Sequence, residues 1–127
     1  MKTILVDAIR TFVIKGEGIF ADMYKTLEQY SNKKIILTSA NDEQAEKFEL
    51  HNMPYEVFTL KHDPEKEDPK YYKTMLDHFN LEAKDVIYFE HKESAVKSAQ
   101  SVGINTFHYD KDKKDLIALK KFIDENL

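Results

Sequence analysis

Lys66-Glu67-Asp68-Pro69, a helical stretch, and then Val86-Ile87-Tyr88-Phe89-Glu90-His91 form the segment on which the reading of this chain turns. Pro69 suits the first turn of a helix, where its fixed φ fits and its missing N–H is not needed. Tyr72, Met75, Leu76 and Phe79 recur at helical spacing, which predicts one core-facing stripe. Of the adjacent pair Tyr71-Tyr72, one ring is expected in the core and one on the surface. Val86 to Phe89 is an unbroken apolar run, the pattern of a parallel strand buried on both faces. It ends in a polar pair, Glu90-His91.

The same alternation extends in both directions. Downstream, a helix over 93–102 should stop at Gly103, a natural residue for the left-handed turn after a helix. Ile104 to Tyr109 reads as a strand, and Leu116, Ile117, Leu119, Phe122 and Ile123 mark a closing helix. Upstream, Ile4-Leu5-Val6 is a short strand ending at Asp7, and residues 19–31 place Ile19, Phe20, Met23, Leu27 and Tyr30 on a helical stripe. Ile35-Ile36-Leu37 forms the second strand and ends at Thr38-Ser39. Asn41 or Asp42 caps a helix running to about Leu50, and Glu56 to Leu60 is the third strand. Phe12-Val13-Ile14 suggests a flap strand and, if exposed, a contact surface.

Five strand–helix alternations imply a three-layer α/β/α, Rossmann-like domain over residues 1–127, with a central five-stranded parallel sheet. Such sheets bind ligands beyond the C-terminal ends of their strands, where the strand order switches. Asp7, Thr38 with Ser39, and Glu90 with His91 all fall on that rim.

Composition narrows the function classes. A net charge of −4 argues against a general nucleic-acid surface or an anionic membrane as partner. The absence of cysteine removes thiol catalysis and thiolate metal sites, and suits a reducing compartment. The apolar run at Ile4 is too short for a signal peptide, and no stretch approaches the roughly 18 apolar residues of a membrane span. A soluble cytoplasmic protein is the expectation. His51, His62, His78 and His108 make no paired-ligand pattern. His62 and Asp63 precede Lys66 and either line the site or sit in a solvated loop.

The rim residues suit phosphoryl transfer, which needs a nucleophile, a cation and donors for phosphate oxygens. Asp7 offers a carboxylate, Thr38 and Ser39 offer hydroxyls with backbone N–H groups at a helix start, and Lys66 offers positive charge. Glu90 is a hard oxygen ligand suited to magnesium.

These residues resemble the motifs of the haloacid dehalogenase (HAD) superfamily. Ile4-Leu5-Val6-Asp7-Ala8-Ile9-Arg10-Thr11 is similar to its first motif, a strand followed by Asp-x-Asp-x-Thr/Val. Thr38 ends the second strand as the second motif requires. Lys66-Glu67-Asp68-Pro69 looks like Lys-Pro-Asp-Pro, and Glu90-His91 stands at the terminal acidic pair. Ala95, Ala99 and Gly103 complete the likeness, which spans essentially the whole chain. The resemblance implies Asp7 as nucleophile, Thr38 and Ser39 with Lys66 as phosphate contacts, and Lys66 as the charge-stabilising lysine. Magnesium would be held by Asp7, the backbone carbonyl of Ile9, Glu90 and the position of His91.

Two positions depart from the pattern. Ile9 replaces the acid/base aspartate, and an aliphatic chain moves no proton. His91 replaces a metal-binding aspartate, and imidazole prefers ions such as zinc or manganese to magnesium. About thirty residues separate Asp7 from Thr38, too few for an inserted cap. The expectation is therefore a capless HAD-like domain with an impaired phosphatase site, weak or inactive, acting through a phosphorylated ligand, another anion or a protein partner. The alternative is a slow or unusual metal-dependent phosphomonoesterase using Asp7. A receiver-type signalling domain does not match, because strand 1 ends in a single acid and Leu60-Lys61 follows strand 3.

Overall fold

The computed structural model describes residues 1–127. Strand β1 (Thr3–Asp7) lies at the centre of the sheet. It is followed by a hairpin of β2 (Val13–Ile14) and β3 (Gly18–Ile19), then α1 (Ala21–Leu27), β4 (Lys34–Thr38), α2 (Asp42–Lys47) and β5 (Glu56–Thr59). The second half runs α3 (Pro69–His78), β6 (Val86–Glu90), α4 (Glu93–Ser101), β7 (Asn105–His108) and α5 (Leu116–Asn126). The main sheet has the order β5-β4-β1-β6-β7, and every pairing in it is parallel. Strand order reverses at β1, so its C-terminal end is the switch point where ligands bind in such sheets.

Side-chain alternation along the strands builds two cores. Ile4 and Val6 of β1, with Ile36, Ile87 and Phe89, pack against Met23 and Leu27 of α1 and Leu119 and Ile123 of α5. Leu5 faces the other way, with Ile35, Leu37 and Tyr88, onto Tyr71, Tyr72, Met75 and Leu76 of α3 and Ala99 of α4. The result is the expected three-layer α/β/α arrangement. No segment between β1 and β4, or between β5 and α3, forms a cap: the first holds only the small hairpin and α1.

Several local expectations are corrected. Tyr71 and Tyr72 are both fully buried, not split between core and surface. Tyr71 reaches under the sheet end to donate to the carbonyl oxygens of Thr38 (2.7 Å) and Phe58 (3.3 Å), while the Tyr72 ring packs 5.6 Å from Tyr88. Phe12-Val13-Ile14 does contribute the flap strand β2, but Phe12 and Val13 are buried and form no contact surface. The Phe12 ring lies against Tyr24 and Tyr55. Helix α1 is shorter than 19–31, because Ile19 belongs to β3. Helix α2 stops at Lys47 rather than Leu50, since Glu49 takes a left-handed conformation and a 3-10 turn follows.

Other details follow the sequence closely. Asn41 caps α2 in a reciprocal capping box with Gln44. Asp68 accepts from the Lys70 N–H at 2.9 Å and so fixes the start of α3 ahead of Pro69. Gly103 adopts φ +89° after α4. Its N–H donates to Gln100 O and the Ile104 N–H to Ala99 O, the paired bonds of a Schellman motif.

Tyr109 packs its ring against Phe89 at 6.3 Å, and its buried hydroxyl has no hydrogen-bond partner. Removing an unpaired buried hydroxyl relieves its desolvation cost. Tyr109→Phe is therefore expected to leave stability unchanged or raise it by up to about 1 kcal/mol, measured by urea denaturation.

Candidate functional site

The strand register explains why the two site acids meet. Val6 is the last β1 residue paired with β6, opposite Phe89, so Asp7 and Glu90 lie side by side one step further along. Alternation puts both on the face covered by α3 and α4, the face of Leu5 and Tyr88. Lys66 enters that face from the loop before α3. Asp7 is 2% exposed, Glu90 1% and Lys66 8%.

The lysine bridges the acids. Its Nζ lies 2.7 Å from Asp7 Oδ1 and 3.0 Å from Glu90 Oε1. On the opposite side, His91 Nδ1 lies 2.5 Å from Asp7 Oδ2 and 3.2 Å from Glu90 Oε2. Asp7 Oδ2 also accepts from the Thr11 hydroxyl at 2.6 Å and the His91 backbone N–H at 3.2 Å. Tyr88 donates to Glu90 Oε1 at 2.6 Å, and the Lys92 N–H to Glu90 Oε2 at 3.0 Å. All four carboxylate oxygens thus have protein donors. Asp7, Glu90 and His91 also bring ligand atoms within 4.8 Å of one another.

These contacts set the charge states. Burial alone would raise the Asp7 pKa, but Lys66 and His91 outweigh it and hold the carboxyl well below its usual range. Burial likewise opposes the charge on Lys66, and Asp7 and Glu90 reverse that and lift its pKa well above the ordinary value. For His91, burial lowers the pKa, while hydrogen bonds to Asp7 and Glu90 raise it more strongly, to about 9.

A pH dependence of stability follows by linkage. Imidazole in the unfolded chain titrates near 6.5, so the stabilisation from His91 is complete below that pH and is lost as pH rises through about 9. The depressed Asp7 acts oppositely: its contribution is present above its unfolded value of 3.8 and is lost as the medium becomes strongly acidic. Melting temperature should therefore fall between pH 6.5 and about 9 in the parent and less so in His91→Asn, read by thermal scans. An equal fall in both proteins would rule out His91 as the source.

The remaining predicted residues border the same open cleft of about 160 Å³. That is small beside the roughly 300–1,000 Å³ of sites that enclose drug-sized molecules, and it suits a compact group. Thr38, Ser39 and Ile9 line it, as do His62, Gln44, Glu65, Glu67 and Lys92. Thr38 Oγ1 accepts from the Ala40 N–H at 3.2 Å, and Ser39 Oγ accepts from the Lys66 N–H at 3.3 Å. The expected anion seat at the helix start is partly spent: Asn41 and Gln44 exchange backbone N–H bonds with each other's side chains. His62 reaches the rim and contacts Glu65 at 2.7 Å, whereas Asp63 stays outside the lining.

Three contributors were not assigned roles from sequence. Thr11 matches the first motif, and its hydroxyl is bonded to Asp7. Tyr88 sits two residues before Glu90, and the period of a strand places both on one face, a signal that was available. Lys92 supplies a backbone donor to Glu90, which no side-chain pattern reveals.

Known proteins agree with this architecture. The profile of the family described as haloacid dehalogenase-like hydrolase matches residues 11–109. An uncharacterised protein from Corynebacterium glutamicum is similar in fold, with TM-score 0.67 at 15% identity over 98% of this chain and 96% of that one. The core domain of a candidate phosphoglycolate phosphatase from Streptococcus pneumoniae gives TM-score 0.65 at 14% identity, again covering 98% and 96%. A HAD family enzyme from Bacteroides thetaiotaomicron, an Asp-to-Ala mutant in complex with magnesium and inorganic phosphate, gives 0.63 at 12% identity over 87% and 95%. Other similar structures are longer, and the chain spans 56% of a HAD-superfamily hydrolase from Ehrlichia chaffeensis. A search of curated proteins gave no match. No helix is long and apolar enough to cross a membrane.

Proposed function

Because this chain belongs to the haloacid dehalogenase-like hydrolase family, we propose that it keeps a phosphate-directed scaffold but turns over phosphomonoesters weakly or not at all. In this reading it acts by binding an anionic group or a protein partner. One observation carries it: Ile9, two residues beyond Asp7, lines the cleft with an aliphatic side chain. The leaving oxygen of an alkyl phosphate needs a proton as its bond to phosphorus breaks, and Ile9 has none to give. A general acid typically contributes roughly 10²–10⁴ in rate.

Magnesium, which the family implies, does not fit the donors present. It favours octahedral oxygen coordination at about 2.0–2.1 Å, whereas this set contains an imidazole, and Lys66 already contacts both carboxylates. A second reading rests on the clustering of Asp7, Glu90 and His91 donor atoms within 4.8 Å. That set is less hostile to a nitrogen-tolerant ion such as zinc or manganese, and would make the chain a slow, metal-dependent phosphatase.

A panel of alkyl and aryl phosphate esters, assayed with magnesium, manganese and zinc, separates the two. The expected result is turnover close to the buffer rate throughout. Metal-dependent hydrolysis that disappears in Asp7→Asn would overturn the first reading and select the second.

A further inference from the structure

The misfit to magnesium has a specific geometric cause. The oxygens of Asp7 and Glu90 that Lys66 does not touch are Asp7 Oδ2 and Glu90 Oε2. Those two oxygens are the ones His91 Nδ1 rests on, at 2.5 and 3.2 Å. Lys66 holds the other oxygen of each acid. The imidazole is itself held in place, because its backbone N–H bonds Asp7 and its carbonyl accepts from His108 Nε2 at 2.9 Å. An ion at magnesium–oxygen distance from both carboxylates cannot share that space with the ring nitrogen.

We infer that the His91 Nδ1–H group stands in for the divalent cation, bridging Asp7 and Glu90 from within the chain and closing the cluster to magnesium. This rests on the reading of the cleft as a HAD-type phosphate site. The two buried carboxylates are already contacted from both sides, by the Lys66 ammonium and by the His91 ring. The substitution at His91 is then a replacement of the metal by a side chain, rather than the loss of one ligand.

The test reads metal binding, not turnover. The parent protein should show the same melting temperature in EDTA and in millimolar magnesium chloride. Long-range ¹H–¹⁵N spectra should show a proton on His91 Nδ1 and no change in the ring signals as magnesium is added. His91→Asp should gain a magnesium-dependent rise in melting temperature of about 3–6 °C. Magnesium-dependent stabilisation of the parent, an unprotonated Nδ1, or a folded His91→Asp variant indifferent to magnesium would each overturn the inference. If His91→Asp does not fold, the spectra of the parent decide. Magnesium binding without turnover would sink this inference and leave the proposed function standing, and metal-free turnover abolished in Asp7→Asn would do the reverse.

Discussion

Replacing Lys66 with methionine is expected to lower stability by about 3–5 kcal/mol, the usual penalty for removing one partner from a buried charge cluster. Methionine keeps most of the volume of the lysine stem, so the loss reports charge rather than a cavity. In the parent, one ammonium contacts both Asp7 and Glu90, each almost fully buried. Without it His91 is left as the single side-chain cation between two acids, and their mutual repulsion is no longer offset. A fall in melting temperature of about 10–25 °C should result, with a matching shift in urea midpoint at constant m-value. Combining Lys66→Met with Asp7→Asn should recover part of the loss, because one of the stranded charges is gone. A cost below about 1 kcal/mol would place Lys66 with the weak surface pairs and contradict the network.

That network marks the boundary of what was legible in the chain. Strands β1, β4 and β6 are continuous apolar runs ending in Asp7, Thr38 and Glu90, so both the parallel sheet and its functional rim could be read directly. One buried and one exposed ring is the expectation for Tyr71-Tyr72 because adjacent helical residues point about 100° apart. That spacing separates core from surface only on a helix packed along one side, and the α3 stripe is wide enough to bury both rings. The inward turn of His91 had no sequence signature at all. As a residue type it indicated a changed metal ligand. Only the tertiary packing of β6 beside β1 brings its ring onto Asp7, 84 residues away. The two-residue strands β2 and β3 were visible only as a flap suggestion, since so short a pairing has no periodicity to detect.

The largest functional effect is expected from restoring two residues together, Ile9→Asp with His91→Asp. Each change alone should do little. Ile9→Asp places a proton carrier on the cleft but leaves the His91 ring where a cation would sit. His91→Asp clears that position but provides no acid for the leaving group, and it sets a third carboxylate beside Asp7 and Glu90. The effects should therefore be strongly non-additive, as for groups that act as a unit. In magnesium the double variant should hydrolyse an alkyl phosphate roughly 10²–10⁴ times faster than the parent, and Asp7→Asn in the same background should abolish the gain. An aryl phosphate should show a smaller contribution from Ile9→Asp, because a phenolate leaves with less need of a proton. EDTA should return both rates to that of the parent. A folded, magnesium-binding double variant that stays inert on both esters would mean that the impairment lies beyond these two positions. Thr38 and Ser39 would then be the next suspects, because their hydroxyls are the other expected phosphate contacts on the cleft.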